Sequence, residues 1–197
     1  ILEIDSLNNI ARFERLKLCV FNLYKNEQYF KYSDYENVLE EFNFLANDKT
    51  SSFEFFYYKA LFYTSIKKFK KAKIEIEKCL EINNQNINIL YLGLKINKEL
   101  EIHNSVIEYC DMILKLKPNN YWLNLVKSIS FLKLNNIDSS SKYFKEWENI
   151  NNNKTSKNIS DEFRILIKFF GDLDCLEKGF DLMSLDYEDK IKFEKIY

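Results

Sequence analysis

The chain is poor in the residues that punctuate or cross-link folds, with three glycines, one proline and one histidine among 197 residues. Such scarcity excludes collagen-like repeats and Gly/Pro-rich disordered sequence, and it leaves a mostly β chain without its hairpin turns. Four cysteines (Cys19, Cys79, Cys110, Cys175) stand far apart, with no C-x-x-C pair. That spacing is neither a disulfide framework nor a zinc knuckle, and it suits buried thiols in a reducing setting. No apolar run of about 18 residues occurs, so no stretch reads as membrane-spanning. The 29 basic and 30 acidic side chains nearly cancel, which leaves no global field to steer nucleic acid or anionic membrane. Arg is almost absent (Arg12, Arg15, Arg164), while Asn and Lys abound, and that bias gives any single Asn or Lys little weight. Ile1 reads as the start of a trimmed or processed piece. Unpaired cysteines then point to cytoplasm and a removed leader to bacterial periplasm or cell envelope, so both compartments stay open.

What is present is a foldable composition, 46% hydrophobic and 16% aromatic, in a length that suits one domain with a sizeable core. One pattern recurs: an aromatic residue, Ile or Leu, two mostly polar residues, a small or apolar residue, then an apolar residue four further on. It reads Tyr35-Glu36-Asn37-Val38 with Phe42, Phe69-Lys70-Lys71-Ala72 with Ile76, and Ile102-His103-Asn104-Ser105 with Tyr109. Two more copies are Ile137-Asp138-Ser139-Ser140 with Phe144 and Leu173-Asp174-Cys175-Leu176 with Phe180. The fourth residues (Val38, Ala72, Ser105, Ser140, Leu176) lie 34, 33, 35 and 36 apart. A near-fixed period of this length is the mark of stacked supersecondary units.

At these residues the chain resembles the tetratricopeptide repeat (TPR) family, whose repeat is two antiparallel helices, A and B, crossing at small side chains. Ala60, Gly93 and Ser128 match the small position of helix A, twelve residues before Ala72, Ser105 and Ser140. Pro118 falls near the family's end-of-repeat proline, and Gly171-Asp172-Leu173 matches its A–B turn. The resemblance implies an all-α fold, a right-handed superhelix of helix pairs forming one α-solenoid domain over 1–197. The approximate repeats are 7–48, 53–85, 86–120, 121–150 and 157–184, with a capping helix over 186–197.

Local patterning alone is divided. Asn88 to Ile96 and Phe53 to Phe62 half-alternate and are rich in β-branched or aromatic residues, which favours strand. No glycine-rich hairpin signals flank them, and the proline-free stretches 53–82 and 87–117 fit helix pairs joined by tight polar turns. Residues 7–26 read as a helix with Ile10, Phe13, Leu16, Val20 and Leu23 on one stripe. Asn26 to Asp34 reads as a long A–B loop, and the Asn/Ser/Lys-rich 149–160 as a mobile one.

Little in the chain carries chemistry. There is no G-x-G-x-x-G, P-loop, H-E-x-x-H or G-x-S-x-G motif. The lone His103 falls at an A–B turn, and dispersed Cys and one His make no metal set. Acids alternate with lysines, as in Glu75-Ile76-Glu77-Lys78, which marks a solvated helix face. The expectation is a protein that is not an enzyme and has no cofactor or metal. The sharpest charge feature, Lys67 to Lys73, reads as a solvated turn with Phe69 and Ala72 inward, or else as a patch for an anionic partner. The sequons at Asn153 and Asn158 arise easily in so Asn-rich a chain.

The resemblance also places a groove on the A helices. Its lining would be Glu54, Tyr57, Leu61, Thr64 and Ser65, then Ile87, Leu90, Leu94, Asn97 and Lys98, then Trp122, Leu125, Ile129, Leu132 and Lys133. Tyr57 and Leu61 stand where family members that clamp a terminal carboxylate carry Lys and Asn, so no such clamp is expected. Tyr57, Leu61, Leu90, Leu94, Trp122, Leu125 and Ile129 are the candidate protein-binding residues. An apolar groove of this kind accepts an amphipathic helix or extended apolar segment. The function expected is a scaffold or adaptor with a protein partner and no nucleic acid. The alternatives are a self-associating structural protein, or the interaction part of a larger, envelope-anchored one.

Overall fold

The computed structural model describes residues 9–25, 32–49 and 52–151, and these are helical apart from short turns. Eight helices follow one another among them: α1 (Asn9–Lys25), α2 (Tyr32–Lys49), α3 (Phe53–Ser65), α4 (Phe69–Ile82), α5 (Ile87–Glu99), α6 (His103–Leu116), α7 (Trp122–Lys133) and α8 (Ile137–Asn151). The strand-like stretches at 53–62 and 88–96 are thus helices α3 and α5. Their apolar residues run almost all round the helix, and a helix of that kind is stable when buried on several sides. The fifth repeat and the capping helix lie outside the described residues. Asn149 to Asn151, expected in a loop, are the last turn of α8.

Contacts divide the chain into two compact units, 1–101 and 102–197. In the first unit α3 packs along α4 as a hairpin, and α1 lies on both α2 and α3. In the second, α7 and α8 form the hairpin and α6 packs on α7. The result is an all-α, TPR-like arrangement of helix pairs, as the period implies.

Each pair is set by small side chains at its crossing. Ala60 and Ala72 are fully buried between α3 and α4. Between α7 and α8 the Ser128 hydroxyl lies 2.9 Å from the Ser140 carbonyl and 3.1 Å from its hydroxyl. The apolar residue four positions on (Phe42, Ile76, Tyr109, Phe144) is buried in every described copy. On α1, Phe13, Leu16, Val20 and Leu23 face the core as expected, but Ile10, in the first turn of the helix, is 64% exposed.

The turns repeat as faithfully as the crossings. Lys67, Glu101 and Asn135 hold φ of 56°, 57° and 57°, at a spacing of 34 residues each time. At the first, the Lys67 amide donates to the Thr64 carbonyl and the Lys68 amide to Tyr63. At the third, Asn135 donates to Leu132 and Asn136 to Phe131. This double bond pattern closes a helix C-terminus around a left-handed residue, a place glycine usually takes. Two asparagines have a positional role after all: the Asn86 side chain accepts from the Asn88 amide at 3.0 Å, and that of Asn136 from Ser139 at 3.1 Å. Each satisfies an amide that helix geometry leaves without an internal partner.

Candidate functional site

Three first helices of the repeats (α3 and α5 in one unit, α7 in the other) carry the seven candidate residues. The structure separates these into two groups. Leu61 (4% exposed), Leu90 and Leu94 (0%), Leu125 (1%) and Ile129 (5%) are interior side chains. The open apolar groove expected of them is therefore not formed by these residues. Tyr57 and Trp122 are half-buried and keep part of their rings in reach of solvent.

The reason in the first unit is close packing of the A helices. α3 contacts α1 on one side and α5 on the other. Lys95 of α5 donates from Nζ to the Tyr24 hydroxyl of α1 at 3.3 Å, and sits 4.6 Å from that ring's centroid. A contact from the first A helix to the third leaves no wide trough over the second. Around it, Tyr57 and Tyr58 meet edge to face at 5.5 Å. Burial pushes the Tyr57 phenol up to about 12, reinforced by Tyr24, Tyr58 and Cys79 nearby. Tyr57 therefore remains a neutral, amphipathic side chain at any physiological pH. Deeper in, Asn97 is 1% exposed, and its side-chain amide donates to the Gly93 carbonyl at 2.8 Å. Thr64 and Ser65, also expected in the groove, turn their hydroxyls back to the carbonyls of Ala60 and Leu61. The two hydroxyls are satisfied within their own helix and offer little to a ligand, whereas the Asn97 side-chain oxygen is buried without a hydrogen-bond partner.

In the second unit, α7 carries a feature without local sequence signal. The buried Lys127 ammonium lies 2.6 Å from Asp111 of α6 and 3.6 Å from the centroid of Tyr143 of α8. Tyr143 in turn stacks flat on Phe131 at 5.4 Å. Burial acts to lower the Lys127 pKa, but bonds to Asp111 and Tyr143 outweigh it and hold the group above its ordinary value. The lysine thus stays charged and ties three helices together.

The remaining titratable candidates are placed as follows. His103 opens α6, half-buried, just after the α5–α6 turn. Burial raises the Cys79 thiol to about 12 and drives Cys110 up as well, so neither is a ready nucleophile. Cys79 donates to the Phe53 carbonyl of α3, the first helix of its own pair. The sequons at Asn153 and Asn158, like Cys175, lie outside the described residues. Among the described residues no three His, Cys, Asp or Glu side chains converge as a metal set, and no helix is long and apolar enough to cross a membrane. In the basic run, Ala72 is inward and Phe69 half-buried, while Lys67, Lys68, Lys70 and Lys71 are exposed.

No model of a known protein family matches the chain, and no curated protein matches it. Solved structures do. A crystal structure of MamA superposes with a TM-score of 0.59 at 17% identity, over 75% of this chain and 81% of that one. A second MamA crystal structure gives 0.60 at 17% identity, covering 78% and 79%. A third MamA structure gives 0.54 at 13% identity, covering 79% of this chain and 98% of the other. At such identities the likeness concerns the fold, and that fold is the all-helical array of pairs read from the period.

Proposed function

We propose that this chain is a non-catalytic scaffold of the TPR type that holds a protein partner. The observation that carries the reading is the strict recurrence of one structural unit: three A–B turns with a residue in the same left-handed conformation every 34 positions. A chain built this way spends its sequence on stacking helix pairs, and what stacking yields is an extended, preorganised surface. The likeness to MamA supports the architecture half of this proposal. The contact surface follows from the exposure pattern. With Leu61, Leu90, Leu94, Leu125 and Ile129 inside, the aromatic anchors left among the seven candidates are Tyr57, beside Tyr24 and Lys95, and separately Trp122. Half-buried Tyr and Trp supply contact area at small entropic loss and dominate many interfaces. The test is affinity capture from native lysate, comparing wild type with Tyr57→Ala and with Trp122→Ala, each checked for unchanged helicity. A stoichiometric partner lost by one folded variant supports the reading. A partner held equally by both variants would move the contact surface elsewhere.

A further inference from the structure

A cleft of about 380 Å³ opens in the first unit between α2 and the α3–α4 turn. Its walls are Tyr35, Glu36 and Leu39 on one side and Ile66, Lys67 and Lys68 on the other. Lys70 and Lys71 follow directly in the first turn of α4. Six other lysines, Lys17, Lys59, Lys73, Lys78, Lys98 and Lys127, each lie within 4 Å of a carboxylate. Among the described residues, Lys67, Lys68 and Lys70 have no such partner, and all three are exposed.

Their position makes this more than a solvated run. Lys68 is the N-cap of α4 and gives no side-chain cap bond, and the first turn holds no acid. A helix N-terminus carries partial positive charge and favours acids, so lysines clustered there repel it and one another. Lys67 in addition occupies a left-handed backbone position in that turn, with φ of 56°. Like-charge repulsion of this kind is relieved when negative charge arrives from outside.

We propose that this cleft docks an acidic segment of the protein partner, with carboxylates against Lys67, Lys68 and Lys70 and one apolar side chain seated on Leu39 and Ile66. The proposal rests on the partner-binding reading above and gives it a second, chemically defined contact. The opposite wall gives the cleft a direction. Glu36 repels acid, so the acidic part of the segment lies on the α4 side.

The probe is a fluorescein-labelled peptide alternating Glu with Leu, compared by anisotropy with its Gln counterpart. The acidic peptide should bind about tenfold tighter or more, since three exposed charge pairs act together. Combined Lys67→Gln, Lys68→Gln and Lys70→Gln should erase that difference, and Glu36→Gln should tighten binding. Lys70→Glu should raise the melting temperature of the protein alone while losing the peptide, a pairing that misfolding does not produce. Equal affinity for the two peptides overturns the proposal, as does an unaffected triple variant. Sedimentation with phosphatidylserine vesicles in the absence of any peptide binding overturns it in favour of a membrane surface. If the triple variant still captures the lysate partner that Tyr57→Ala or Trp122→Ala loses, the cleft falls and the scaffold reading stands.

Discussion

Glycine substitution at the three left-handed turn residues offers a test whose sign is set by backbone sterics. Lys67, Glu101 and Asn135 all hold φ near 57° and are all exposed, so replacing them removes no core contact. A non-glycine L-residue in this region loses about 1–2 kcal/mol to its Cβ. Glycine avoids that strain but orders a more flexible chain on folding, which offsets about 0.5–1 kcal/mol. The net expectation is a gain of about 0.5–1 kcal/mol for Lys67→Gly and for Glu101→Gly. Asn135→Gly should gain much less, because Asn visits the left-handed region readily. Lys67→Ala keeps the Cβ while removing the charge, so it separates strain from repulsion at the start of α4. For a chain of this size each kcal/mol moves the melting temperature by about 2–4 °C, readable by circular dichroism. If Lys67→Gly and Lys67→Ala shift it equally, strain is not the cause. If Asn135→Gly gains as much as the other two, the ranking argument fails.

Two further predictions concern packing and charge. Ala72→Leu forces an isobutyl group into the fully closed α3–α4 crossing and should destabilise by about 1–3 kcal/mol in urea unfolding, whereas Ser105→Leu, at the same repeat position but half-buried, should lose less. Asp111→Asn should lose about 1–2 kcal/mol by leaving the buried Lys127 ammonium without its carboxylate, while Lys127→Met, which removes the charge and keeps the volume, should be nearly neutral. Because the Lys127 pKa is raised on folding, its stabilisation is complete below the ordinary lysine value and fades as pH climbs above about 10.5 through the folded value. The wild-type melting temperature should therefore drop more steeply at high pH than that of Lys127→Met.

What the sequence discloses here is periodic, and what it withholds is either long-range or symmetric. The twelve-residue spacing of Ala60 with Ala72 and Ser128 with Ser140 reads directly as helix crossings, because a close approach demands small side chains wherever it occurs. An apolar stripe carries no such direction. Leu90, Leu94 and Leu125 would look identical on a helix that faces a partner and on one that faces its own neighbours. For Leu90 and Leu94 it is the approach of α1 to α5 through Tyr24 and Lys95, 71 residues apart, that closes over the stripe. Asp111 with Lys127 is invisible for a related reason, since the pair is made by two helices and neither member is unusual alone. Asn86 and Asn136 fail differently: compositional abundance hid two functional caps among many solvated asparagines. The basic turn was legible as charge, but the α2 wall that makes it a cleft was not.

Holding another protein is the role proposed for this array of helix pairs. Its most direct test is reconstitution: the protein captured from native lysate is purified and mixed with this chain, and the mass of the complex is read by light scattering behind gel filtration. The account predicts a stoichiometric complex that either Tyr57→Ala or Trp122→Ala dissociates while its fold is intact. A chain that elutes unchanged beside every captured candidate would contradict it.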